Sequence, residues 1–219
     1  MTLDELIKDF RNQAQDEVAD YLFSKERVTA WLVEAEQEAV IRGRLLHESE
    51  NPAVCEVPVS AGTAGYALHA ALYEIDHLGL MLAGATERRR VKLVSQEWLD
   101  DNLTGWRDRT GTPEFAIQGD TSLRLVPKPD ADATLLLEGY RLPLRDMSAS
   151  GKPEINAAHH RHLVHWALHR AFSIPDSEMF DASRADRSER IFSAYFGERP
   201  NADLRRLTQE DGPHHNKAW

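Results

Sequence analysis

Apolar positions near the start of the chain recur every three or four residues. Leu3, Leu6, Ile7, Phe10 and Ala14 line one face of a helix. Val28, Trp31, Leu32, Ala35 and Ala39 line a second, with Ser24 placed to cap it. Neither run holds an internal proline. Asn51-Pro52 stops the pattern, because proline removes a donor and pushes its neighbour out of the helical region. From about residue 53 to 143 the texture shortens. Residues 54–57 predict a strand closed by Pro58, with Gly62 and Gly65 as turn material. Residues 73–82 are apolar without a clear period, and Gly79 and Gly84 favour strand over helix there. Residues 90–94 alternate with period two, and Ser95 starts a short acidic helix around Trp98 and Leu99. The runs 114–118, 121–126 and 134–141 predict a three-stranded meander. Gly119-Asp120 reads as a tight hairpin, and Pro127-Lys128-Pro129-Asp130 is too stiff for a strand interior.

Helices return at the end. Lys152-Pro153-Glu154 predicts a helix start, running to about Phe172 before Pro175. A last helix is expected over 181–196, with Gly197 as its C′ residue. Beyond it lie few apolar anchors and a Gly212-Pro213 break, which read as an extended tail. Amphipathic helices at both ends must bury their faces, and packing on one another is the simplest solution. The expected fold class is α+β: a helical bundle of N- and C-terminal helices, a central β-rich insertion and an extended C-terminal tail. The corresponding boundaries are 1–52 for the N-terminal helices, 53–148 for the insertion, 149–197 for the C-terminal helices and 198–219 for the tail.

Charge narrows the function. The 219 residues carry a formal charge of −10, which argues against a general nucleic-acid binder needing a basic footprint. By segment the net charge is −6 over 1–50, −4 over 51–150 and zero over 151–219. No stretch approaches the roughly 20 apolar residues that span a bilayer. Asp4 and Glu5 precede any apolar block, so no secretory signal is expected at this start. The single cysteine, Cys55, allows no internal disulfide and no thiolate-cluster metal site.

Candidate chemistry is sparse. The last third holds seven of the ten histidines. On a helical count His159, His162, His165 and His169 form a stripe beside the apolar face, while His160 points into it. His165 and His169, four apart, can share a metal ion, and His162, His165 and His169 are the metal candidates. No glutamate completes a zinc-protease pattern, and a second helix would have to supply further ligands. The competing readings are a polar helix flank and a pH-sensitive subunit contact. Ser60 and Ser150 lack the glycine pattern of a hydrolase elbow, and Gly62-Thr63-Ala64-Gly65 lacks the lysine of a phosphate loop. Asp100-Asp101 reads as a solvated surface pair. Cys55, expected in an apolar strand, reads as packing. No catalytic or cofactor-binding residue is assigned, and no cofactor is expected. Arg88, Arg89 and Arg90, followed by Lys92, form the one dense basic run. In so acidic a chain they read as a contact to an acidic neighbouring subunit, with a solvated lead-in to a strand as the alternative.

A series of motifs adds to this. Val57-Pro58-Val59-Ser60-Ala61-Gly62-Thr63-Ala64-Gly65-Tyr66 precedes Val94-Ser95-Gln96-Glu97-Trp98-Leu99-Asp100 and Trp106. Then follow Gly111-Thr112-Pro113-Glu114-Phe115, Leu123-Arg124-Leu125-Val126-Pro127-Lys128-Pro129-Asp130 and Tyr140-Arg141-Leu142-Pro143. With the helical Glu34-Ala35-Glu36-Gln37-Glu38-Ala39, this succession resembles the head-to-tail adaptor (connector) proteins of tailed bacteriophages over about residues 25–195. Order and spacing carry the resemblance; the histidine-rich helix departs from it.

The resemblance implies a structural, non-enzymatic protein of the virion neck. It implies a homo-oligomeric ring, usually dodecameric, between the portal protein and a tail or stopper/nozzle protein, with genome DNA passing through and no membrane. It further implies that the segment after Gly197 docks on the portal, with Arg199, Leu204, Leu207 and Trp219 as docking residues. Assembly in the host bacterial cytoplasm suits a chain without cross-links. Twelve copies would carry about −120, and an acidic lumen repels phosphate. A tail-completion or stopper protein of the same neck is the nearest alternative; a metal-dependent enzyme on the histidine helix and a DNA-binding regulator come from other classes.

Overall fold

Thr2 opens the first helix. In the computed structural model, which describes residues 1–175 and 177–200, its hydroxyl accepts the Glu5 amide while the Glu5 carboxylate accepts the Thr2 amide. This reciprocal cap starts α1 (Leu3–Ala14). Ser24 caps α2 (Lys25–Gly43) by accepting the Arg27 amide, and Arg44 ends it in the left-handed region. The helix therefore stops well before Asn51-Pro52, which was expected to end it. The contacts divide the chain into two units, one made of Met1–Leu46 with Leu142–Arg199 and the other of His47–Arg141.

In the first unit α1 and α2 are joined by α5 (Met147–Ser150), α6 (Leu163–Phe172) and α7 (Ala182–Phe196). Helix α6 packs against α1, α2 and α7. Leu6, Phe10, Leu32, Phe172 and Phe192 are almost wholly buried, and Phe10, Phe23 and Trp31 form an aromatic cluster with ring centroids 5.0–6.4 Å apart. Asp181 caps α7 and Gly197 follows it at φ 96°, as expected. The predicted helix from 152 to 172 is corrected. Residues 152–159 are irregular, a 3-10 turn spans His160–His162, and α6 begins only at Leu163. In this segment the Glu36 carboxylate on α2 accepts the amides of both Glu154 and Ile155. That contact ties the irregular segment to α2, although the same amides would also be free for a side-chain acceptor at a helix start.

The second unit pairs two sheets. Strand β4 (Leu72–Leu82) lies along β9 (Ala133–Arg141) in antiparallel register, Leu78 opposite Leu137 and Leu80 opposite Leu135. The two-residue β1 (His47–Glu48) and β2 (Glu56–Val59) pair with the far edge of β9, and β5 (Arg89–Arg90) pairs with β4. The other sheet has β3 (Gly65–Ala67), β8 (Ser122–Val126), β7 (Phe115–Gln118) and β6 (Lys92–Leu93) in that order. Their apolar faces meet in one core containing Leu78, Leu80, Leu123, Leu125, Leu135 and Leu137. On the outer face of the second sheet α4 (Gln96–Asn102), capped by Ser95, buries Leu99 with Val94, Trp106 and Val126.

Four strand expectations are corrected here. Residues 52–55 form the helical turn α3 (Pro52–Cys55), because the Asn51 side chain accepts the Ala53 amide and proline fits its first position. The strand then begins at Glu56 and runs through Pro58, opposite Thr134. The run 90–94 is divided: Arg89-Arg90 pairs with β4 and Lys92-Leu93 runs parallel to β7. Gly65 opens strand β3 rather than a turn. The meander is also broken. Strands β7 and β8 form the predicted hairpin, but β9 belongs to the other sheet. The stiff Pro127–Asp130 loop carries the chain between sheets.

Candidate docking surfaces and the histidine helix

Tyr195 on α7 organises the histidines. Its ring stacks on that of His162, with centroids 3.5 Å apart and planes within 12°. Its hydroxyl lies 3.1 Å from His159 Nδ1. His162 Nδ1 is buried without a hydrogen-bond partner in the described structure, and burial, with His159 and Arg161 adding to it, holds the imidazole below its usual pKa. His165, 6.2 Å from His162 between ring centroids, is lowered by burial and by His162, with Asp9 opposing. His169 spends Nδ1 on the Ala185 carbonyl at 3.1 Å. His160, expected to point inward, is buried and places Nε2 2.9 Å from the Ile155 carbonyl. Among the described residues no group of three His, Cys, Asp or Glu side chains stands close enough to hold a metal ion.

The other candidates have structural partners. Arg107 forks onto Asp100 at 2.6 and 3.1 Å and Trp106 Nε1 donates to the same carboxylate, so that the Asp100 carboxyl is held below the usual range. Ser60 lies in a turn tied by the Tyr66 hydroxyl, which donates toward the Ser60 and Thr63 carbonyls. Cys55 ends a helical turn rather than lying in a strand. Burial, followed by the Glu48 and Glu138 charges, pushes its thiol up, away from nucleophilic chemistry.

Two surfaces remain. The first is the basic run of Arg88 and the rim strand β5, where Arg88, Arg89 and Arg90 are all exposed. Arg88 reaches Glu138 at 3.4 Å, whereas Arg89 and Arg90 make no ion pair in the described structure. The second is a loop that sequence reasoning missed, between α1 and α2. Arg11 and Asp16, both buried, lock it: Arg11 Nη1 donates to Asp16 Oδ2 at 2.6 Å and Nη2 to the Phe23 carbonyl at 3.0 Å. Asp16 Oδ1 accepts the Leu22 amide at 2.9 Å. The guanidinium also lies 3.6 Å from the centre of the Tyr21 ring. Thus held, the loop turns Val18, Tyr21 and Leu22 outward, 79, 49 and 50% exposed. Nothing in periodicity marks such a loop; the only available signal was an apolar cluster in a segment flanked by carboxylates.

The family model described as SU10 adaptor protein matches residues 1–216. The chain belongs to this family. No curated protein sequence matches it significantly. The SU10 adaptor family is a family of phage head-to-tail adaptors, so the chain is a structural protein of the phage neck. Of the residues expected to dock on the portal, Arg199 is exposed and pairs with Glu38 at 3.4 Å. Leu204, Leu207 and Trp219 lie outside the described residues. No described helix is long and apolar enough to cross a membrane.

Proposed function

We propose that this SU10 adaptor forms a homo-oligomeric ring, a dodecamer in the particle, that joins the portal to the tail or stopper protein and encloses part of the DNA channel. The family match over 1–216 carries the reading. Charge supports it: a chain of −10, repeated around a ring, favours passage of phosphate over adhesion. Residues after Gly197, with Arg199, Leu204, Leu207 and Trp219, dock on the portal. The exposed Arg88, Arg89 and Arg90 contact a neighbouring subunit. Assembly takes place in the host bacterial cytoplasm, and the protein works in the virion neck.

Electron microscopy of virions, and of the purified chain with portal, tests this. Density for a ring directly beneath the portal is expected; density located only at the far side of the neck would instead assign the stopper role. Deleting residues 198–219 is expected to weaken capture by portal while leaving the fold intact by circular dichroism, and undiminished capture would remove the tail from the docking surface.

A further inference from the structure

Exposed apolar side chains on a mobile loop cost backbone entropy when they bind, and on a loop already fixed that part of the cost is absent. The α1–α2 loop is of the second kind. The buried Arg11–Asp16 pair, the Leu22 amide and the Phe23 carbonyl close it from within. Its tip nevertheless leaves Val18 79% exposed and about half of Tyr21 and Leu22 in water. Arg11 covers one side of the Tyr21 ring, and the ring's remaining exposure can take a second cation. Glu17 and Asp20, both exposed, flank these side chains. The surface is thus an aromatic and aliphatic knob edged by carboxylates, and its complement is exposed guanidinium, which both stacks on rings and forks onto carboxylates.

The same chain carries that complement. Arg89 and Arg90 are exposed on β5 and form no ion pair in the described structure, and the preceding residues 83–86 are exposed and small. We infer that the Glu17–Leu22 loop of one copy docks on Arg89 and Arg90 of a second copy of this chain. This deepens the ring proposed above and rests on it. The contact is head-to-tail, since each copy offers one loop and one arginine pair, and such contacts close into rings or propagate. The rival account is that the arginines only blunt a sheet edge against pairing.

Paired cysteines test the inference. Asp20→Cys and Arg89→Cys are combined in the full chain and oxidised gently, both as purified protein and in assembled particles; Cys55 is buried and serves as the background. A ladder of covalent multimers is expected from the double variant and from neither single. Separately, Arg89→Glu/Arg90→Glu is expected to weaken self-association on the order of tenfold. Adding Glu17→Arg/Asp20→Arg to that variant restores it. Particles that show a ring by microscopy but give no ladder, or a charge reversal without effect, would overturn this contact and leave the ring standing. Particles without any ring would overturn both. A reversal that weakens assembly without rescue by the second reversal assigns the arginines to another partner and also refutes the pairing.

Discussion

Truncating Arg11 is the sharpest test of how the first unit is held together. The Arg11 and Asp16 side chains are 10 and 3% exposed and meet at 2.6 Å. Arg11→Met keeps much of the side-chain volume but removes the guanidinium. Asp16 is then left as a buried carboxylate, with the Leu22 amide as its one remaining side-chain contact among those described above. Removing one member of a buried pair costs about 3–5 kcal/mol, because the stranded charge keeps its desolvation penalty. Loss of the Tyr21 stacking adds about 0.5–1 kcal/mol. The double variant Arg11→Met/Asp16→Asn strands no charge and is expected to be more stable than Arg11→Met alone. Urea unfolding followed by circular dichroism reads both differences, provided the slope with denaturant stays constant. A loss below about 1 kcal/mol for Arg11→Met, the value of an exposed pair, would refute the argument. A double variant less stable than the single would do the same.

Three other outcomes follow from the geometry. Gly139 on β9 faces the Glu74 carbonyl, and a Cβ there also comes within 2.9 Å of Ile75 Cα, so Gly139→Ala is expected to cost about 1–3 kcal/mol by overpacking backbone, visible as a lower melting temperature. His162 has a folded pKa below its unfolded value. The unfolded chain therefore takes up the proton first on acidification, and stability falls as pH drops through the ordinary histidine range toward the lower folded value. His162→Phe keeps a ring against Tyr195 and should flatten the melting temperature between about pH 7 and 5, the window around an unperturbed histidine; an unchanged slope would count against it. Glu36 has the opposite sign: burial, opposed by the Glu154 and Ile155 amides, raises its carboxyl pKa. Its contribution is full below the ordinary carboxyl pKa and is lost as pH rises through the folded value, so Glu36→Gln should lessen the decline on that side, as read by calorimetry across pH.

Local signals were legible and long-range ones were not. Ser24 and Ser95 announced α2 and α4 because a cap acts within three residues of itself. The spacing of Leu3 to Ala14 gave α1 for the same reason: all of the information lies on one face of one helix. Asn51-Pro52 was legible but ambiguous, since the pair that ends one helix also starts another, and here it starts α3. Pro153-Glu154 misled because a helix-start signal is local, whereas this segment is tied to Glu36, 118 residues away in sequence. Strand β9 was found, but its partners were not; pairing with β4 depends on which apolar faces meet, and adjacent runs give no hint of that. The candidate surfaces divide likewise. Arg88–Arg90 stood out as composition, whereas the α1–α2 loop depends on Arg11 reaching across to Phe23, which no local pattern encodes.

The short ladder between β1 and β9 has a consequence for how the chain reaches its native state. The helical unit is split in sequence, and its halves are separated by the 47–141 excursion. His47 pairs with Tyr140 and Glu48 with Gly139, and Arg141 Nε clasps Glu48 at 2.8 Å. Once the β module has folded, its outgoing and returning strands are zipped side by side. The entropy of closing so long a loop is then already met, and α1 and α2 find α6 and α7 as though the intervening segment were a tight turn. The module is bounded at His47 and Arg141, so a chain in which it folds first has only a short gap left to close between its helical halves.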